Sequence, residues 1–144
     1  MFSKSCEYGI KAIIYIANQS LQKRRVKLQD IIGEVGSPEA FTAKILQELA
    51  RNKIIISHTG PYGGFEMDVK NMKKVRLSEI VYAIDGDAIY NGCGLGLTAC
   101  SASQPCPIHH KFVKVRNELK IMLETTTIYD LAVGHKNAAT FLRR

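Results

Sequence analysis

Apolar residues recur at three- and four-residue spacings over residues 5–19. Tyr8, Ile10, Ile13, Ile14 and Ala17 follow that rhythm, while Glu7, Lys11 and Asn18 fall elsewhere, which predicts an amphipathic first helix. A basic loop at 22–25 separates it from a short helix near 27–34, with Leu28, Ile31, Ile32 and Val35 on its apolar side and a stop at Gly36. Ser37 and Pro38 are then read as the cap and first turn of a third helix, with Glu39 at the positive end of its dipole. Its apolar stripe is read as Phe41, Ile45, Leu46 and Leu49, ending near Asn52. Glu39, Thr42, Ala43, Lys44 and Gln47 are expected on its exposed face.

The period then changes. Ile54-Ile55-Ile56 is β-branched and too short for a helix, and Phe65-Glu66-Met67-Asp68-Val69 alternates apolar and polar residues. Between them, His58-Thr59-Gly60-Pro61-Tyr62-Gly63-Gly64 has the glycine content of a hairpin tip. Three helices followed by a two-stranded ribbon outline a winged helix-turn-helix, so the fold class is mainly α with a small β-hairpin wing. Beyond a basic connector (Lys70, Lys73, Lys74, Arg76), Ser78-Glu79 opens a short helix through Ile84. Residues 87–107 show no periodicity, and a loop that long inside a compact domain is usually functional or disordered. A long helix is expected over 108–124. Its narrow seam of Phe112, Val115, Leu119 and Met122 follows a coiled-coil spacing, which suits dimerisation. Thr127 and Asp130 can cap a last helix. The chain thus divides into a DNA-binding region, 1–77, and a cysteine-loop and dimerisation region, 78–144.

Charge sharpens this picture. The net charge is +7, and residues 1–77 hold 13 Lys/Arg against 7 Asp/Glu, while residues 78–144 hold 7 against 6. A basic excess in one half points to a polyanion-binding surface there, because neutralised phosphates release counterions. The apolar run at 12–17 is too short to span a bilayer and follows charged residues, so no membrane partner and a cytoplasmic location are expected.

For a DNA reader, the third helix supplies Ser37, Pro38, Glu39, Thr42 and Lys44. The wing supplies His58, Thr59, Pro61, Tyr62, Gly63 and Gly64. Glycines at the tip let backbone approach a phosphate or enter a minor groove. A winged helix can also be a protein-interaction module. Enzymatic function is not expected, since the chain has no Rossmann glycine pattern, no nucleophile–base pair and no second cluster motif.

Cys93-x6-Cys100-x5-Cys106-x2-His109 places three thiolates and an imidazole within a glycine- and serine-rich stretch. That donor set suits iron in a cluster or tetrahedral zinc, and softness alone does not separate them. A bare thiol redox switch without metal is the third option.

The segments Cys6-Glu7-Tyr8-Gly9-Ile10-Lys11-Ala12, Ser37-Pro38-Glu39-Ala40-Phe41, Gly60-Pro61-Tyr62-Gly63-Gly64-Phe65 and Val81-Tyr82-Ala83-Ile84-Asp85-Gly86, with the cysteine loop, resemble the Rrf2 family of bacterial winged-helix transcription regulators, including its IscR- and NsrR-like members. The resemblance covers nearly the whole chain. It implies a homodimer paired through the long helix, with recognition helices (here 38–52) in successive major grooves of a palindromic double-stranded operator. It also implies an iron–sulfur cluster, of two-iron or four-iron type, on Cys93, Cys100 and Cys106. His109 stands where some members have a histidine fourth ligand, and Glu7 where others use an acidic residue of the partner subunit. One position departs from the pattern: members often carry an arginine just before the wing's Gly-Pro, and this chain has Thr59, with His58 or Lys53 as nearby substitutes.

Overall fold

In the computed structural model, which describes residues 1–137 and residue 142, the chain runs through α1 (Lys4–Leu21), α2 (Leu28–Val35), α3 (Glu39–Arg51), β1 (Ile56–His58), β2 (Gly64–Glu66), α4 (Val69–Lys74), α5 (Leu77–Asp85), α6 (Ala88–Asn91), α7 (His109–Thr125) and α8 (Ile128–Asn137). Local signals set most boundaries. Ser3 Oγ accepts the Cys6 amide at 3.0 Å and caps α1. Gly36 ends α2 in the left-handed conformation, at φ 72°. Thr127 and Asp130 make the expected reciprocal cap of α8, with bonds of 3.0 and 3.1 Å.

The core is built around α1. Ile13 and Ile16, both fully buried, meet Ile31 and Val35 of α2 and Leu46 and Leu49 of α3. Met72, Ile80, Ile128 and Ala132 close the same cluster from α4, α5 and α8. Burying each large aliphatic side chain is worth about 1.5–3 kcal/mol. A smaller cluster gathers Cys6, Leu77, Val81 and Leu123 at the other end of α1. The main core therefore crosses the expected boundary at 77/78: α5 and α8 pack with the three N-terminal helices.

The wing is antiparallel, pairing Ile56 with Glu66, Ser57 with Phe65 and His58 with Gly64. Val26, just after α1, joins it by exchanging both main-chain bonds with Phe65, at 3.1 and 2.7 Å. Gly64 makes this approach possible. It sits at φ 137°, and a Cβ there would lie 2.6 Å from Val26 O.

Several expectations need correction. The strands lie at 56–58 and 64–66 rather than 54–56 and 65–69; Ile54 and Ile55 are buried in the core ahead of the ribbon. The basic connector contains a helix, α4, which buries Met72 and turns Lys70, Lys73 and Lys74 to solvent. The loop is broken at its start by the single turn of α6. No helix among the described residues is long and apolar enough to cross a membrane.

Candidate nucleic-acid interface and cysteine loop

Helix α3 departs from the expected face at Thr42 and Phe41. Thr42 is only 1% exposed and Ser37 is also buried, so neither offers its hydroxyl to a groove. Thr42 Oγ1 donates to Pro38 O at 2.7 Å, which leaves Ser37 Oγ to donate to Thr42 Oγ1 at 2.6 Å. This pair braces the entry to α3, whose N-cap is Pro38 with no side-chain cap bond. The reason is rotational: Thr42, Ile45, Leu46 and Leu49 share one helical face, and that face is the buried one. Phe41, expected in the stripe, is 52% exposed instead. Glu39, Lys44 and Gln47 are exposed as expected, Ala43 is half-buried, and Pro38 is exposed at the entry of a helix joined to the wing by residues 52–55 alone.

At the wing, Thr59 and Pro61 are exposed and Tyr62 is 90% exposed. Gly63 and Gly64 are half-buried on the returning side. His58 does not point free: its Nε2 lies 3.0 Å from Glu66 Oε1 across the ribbon. That hydrogen bond, with help from Arg25, holds the Glu66 carboxyl below its ordinary value. Arg25, in the sequence one residue of a basic loop, reaches the wing in the fold. Its Nη1 donates to Tyr62 O at 3.0 Å, and its Nε lies 3.5 Å from Glu66 Oε2.

The cysteine loop packs on α7. Gly94 lies against Phe112, so that a Cβ would fall 2.9 Å from the ring. Arg116 Nη1 donates to Gly92 O at 2.8 Å. The loop's donors fall into two groups, Cys93 near Cys106 and Cys100 against His109. Cys93 Sγ accepts the Leu95 amide at 3.4 Å, and this, together with backbone bonds from Leu97 and a hydrogen bond from Cys106, lowers its pKa. Cys100 Sγ lies 3.4 Å from His109 Nδ1 and 3.5 Å from Arg116 Nη2. His109 is buried, and its amide donates to Cys106 O at 3.0 Å. Among the described residues no three His, Cys, Asp or Glu side chains converge on one metal position. The expected set of Cys93, Cys100, Cys106 and His109 therefore does not meet at a single position: Cys100 Sγ faces His109 and Arg116, and Cys93 Sγ faces the Leu95 amide. Glu7 is taken by Lys4, at 2.8 Å.

On α7, Phe112 and Leu119 are half-buried, while Val115 is 57% and Met122 45% exposed. Ile121, outside the expected seam, is exposed with them, and Leu123 is turned fully into the core.

Residues 2–134 match the family model Rrf2, described as an iron-dependent transcriptional regulator. A candidate HTH-type transcriptional regulator of Aquifex aeolicus is 33% identical over 134 residues, covering 91% of this chain and 90% of that one. Among solved structures, CymR (YrzC), the global cysteine regulator of B. subtilis, superposes with a TM-score of 0.74 at 18% identity, covering 92% of this chain and 96% of that one. IscR of T. potens superposes with a TM-score of 0.69 at 16% identity, covering 97% and 93%. At such identities the superpositions speak for the winged-helix fold.

Proposed function

Since the chain belongs to the Rrf2 family, transcriptional regulators and not enzymes, we propose that it is a cytoplasmic homodimer that binds a palindromic operator in double-stranded DNA, with the cysteine loop controlling that binding. The observation that carries this reading is α3 itself. It buries Ile45, Leu46 and Leu49 and leaves Pro38, Glu39, Lys44 and Gln47 in solvent, just ahead of an exposed hairpin. A helix so mounted can enter a major groove with its N-terminal residues against base edges. The exposed apolar residues of α7, Val115, Ile121 and Met122, are of the kind that a second copy would cover.

For the loop we infer an iron–sulfur cluster on Cys93, Cys100 and Cys106, completed by His109 or by Glu7 of the partner subunit. It would supply a redox-active iron centre. A two-iron cluster takes two protein ligands on each iron, so Cys100 against His109 and Cys93 near Cys106 suit that donor set, although no three donors among the described residues converge on a single metal position. A second reading is a zinc or thiol redox site; of the two the thiol form is favoured, because tetrahedral zinc needs its donors on one position and no three converge among the described residues.

Two measurements test this. Selection from a random-sequence duplex pool should enrich a two-fold symmetric sequence bound at about 10⁻⁸ M or tighter; no enrichment would remove the DNA reading. Protein purified without oxygen should be brown and carry iron and sulfide in similar amounts. A colourless sample with zinc or no metal would move the control to zinc or thiols.

A further inference from the structure

The wing tip, residues 59–64, contains no lysine or arginine. A guanidinium nevertheless lies on it, delivered from 37 residues earlier in the chain: Arg25 Nη1 donates to Tyr62 O at 3.0 Å. The same side chain reaches Glu66 Oε2 through Nε at 3.5 Å. Its neighbour Val26 is bonded to Phe65 in both directions, so Arg25 rides on what amounts to a third strand of the wing. Gly64 leaves the room: a Cβ there would lie 3.1 Å from Arg25 Cγ. Lys23 and Arg24 stand exposed in the same turn.

A guanidinium has five N–H donors in a rigid fork that suits phosphate. The contacts with Tyr62 and Glu66 occupy part of that fork, and the side chain remains 35% exposed. We propose that Arg25, outside both the helix-turn-helix and the hairpin, is a DNA-contacting residue. Its bound donors hold the tip in place while its free donors take a backbone phosphate beside the wing. Glu66 orients Arg25 in the free protein and competes with that phosphate. This inference rests on the DNA-binding reading above.

The test begins with a duplex that the wild-type protein selects from a random-sequence pool. If nothing is enriched, the DNA reading falls and takes this inference with it. On the selected duplex, affinity is measured by fluorescence anisotropy between about 50 and 200 mM salt. R25A should bind roughly tenfold more weakly, with a log–log salt slope smaller by about one. R25K, which keeps the charge and guards against a folding defect in R25A, should keep the slope and lose less affinity. E66Q, which removes the competing anion, should bind more tightly than wild type. Wild-type affinity in R25A, a loss with unchanged slope as for a purely structural brace, or weaker binding by E66Q would each overturn the proposal.

Discussion

Arg116 Nη2 lies 3.5 Å from Cys100 Sγ, while Nη1 of the same group holds Gly92 O at 2.8 Å. The guanidinium is also stacked over the Phe112 ring, 5.7 Å from its centre. One side chain of α7 thus touches two separate points of the cysteine loop, and a change at Cys100 is felt first by that helix.

Replacing Arg116 with alanine should therefore loosen the loop more than it weakens the fold. About 1 kcal/mol of stability is the expected loss, because the bonds are partly solvent-screened. Alkylation of Cys100, followed residue by residue with mass spectrometry, should accelerate several-fold. An unchanged rate would mean that Arg116 does not order the loop.

T42V should cost about 1–3 kcal/mol in urea denaturation, since it strips the buried Ser37 hydroxyl of its acceptor. T42S should recover most of that. Neither substitution should change operator affinity per folded molecule. A loss of affinity at unchanged stability would return Thr42 to the DNA face.

Thr42 also shows how far the sequence could be read. Its three- and four-residue spacing to Ile45 and Leu46 was available, and that spacing places it on the buried face. Judging exposure by polarity placed it wrongly, and judging burial by apolarity did the same for Phe41. Helix α4 was missed because three of its six residues are lysine and only Met72 is buried, which leaves almost no periodic signal. The long amphipathic helices, the Gly36 stop and the Thr127 cap were legible because each depends on contacts within a few residues. The contact of Cys100 with His109 and Arg116 depends on how the loop folds back on α7, which spacing does not encode. The Arg25 contact joins segments far apart in the chain and was invisible for the same reason.

Cys6 should behave unlike the other three thiols. It is fully buried, and desolvation, with Asp85 nearby, pushes its pKa up to about 12. Iodoacetamide on the folded, metal-free protein should modify the three loop thiols and spare Cys6, which should react only after denaturation. Early labelling of Cys6 in native protein would contradict this placement.

Acid should loosen the wing through Glu66. Its carboxyl lies below the ordinary 4.5, first because of His58 and then Arg25. A carboxyl lowered in the folded state stabilises fully above its unfolded value, and that contribution is lost as pH falls through the folded value. The loss should therefore appear below about pH 4.5, amount to less than about 1 kcal/mol for so exposed a group, and be absent in E66Q. Amide exchange across residues 56–66 measures it. An acid-side change of the same size in E66Q would assign it elsewhere.

The last helix returns to the first. Asn18 Nδ2 donates to Ala132 O at 3.2 Å, the Leu77 amide to Thr126 O at 2.9 Å, and the Ile128 amide to Val75 O at 3.2 Å. Helix α8 and the turn before it are thus stitched to α1 and to residues 75–77 along one seam, and the stretch between α6 and α7 lies outside it. A graft of residues 1–77 onto a foreign second half would expose the side of α1 that α8 covers, whereas a single backbone cut within the cysteine loop would leave two pieces that still hold each other.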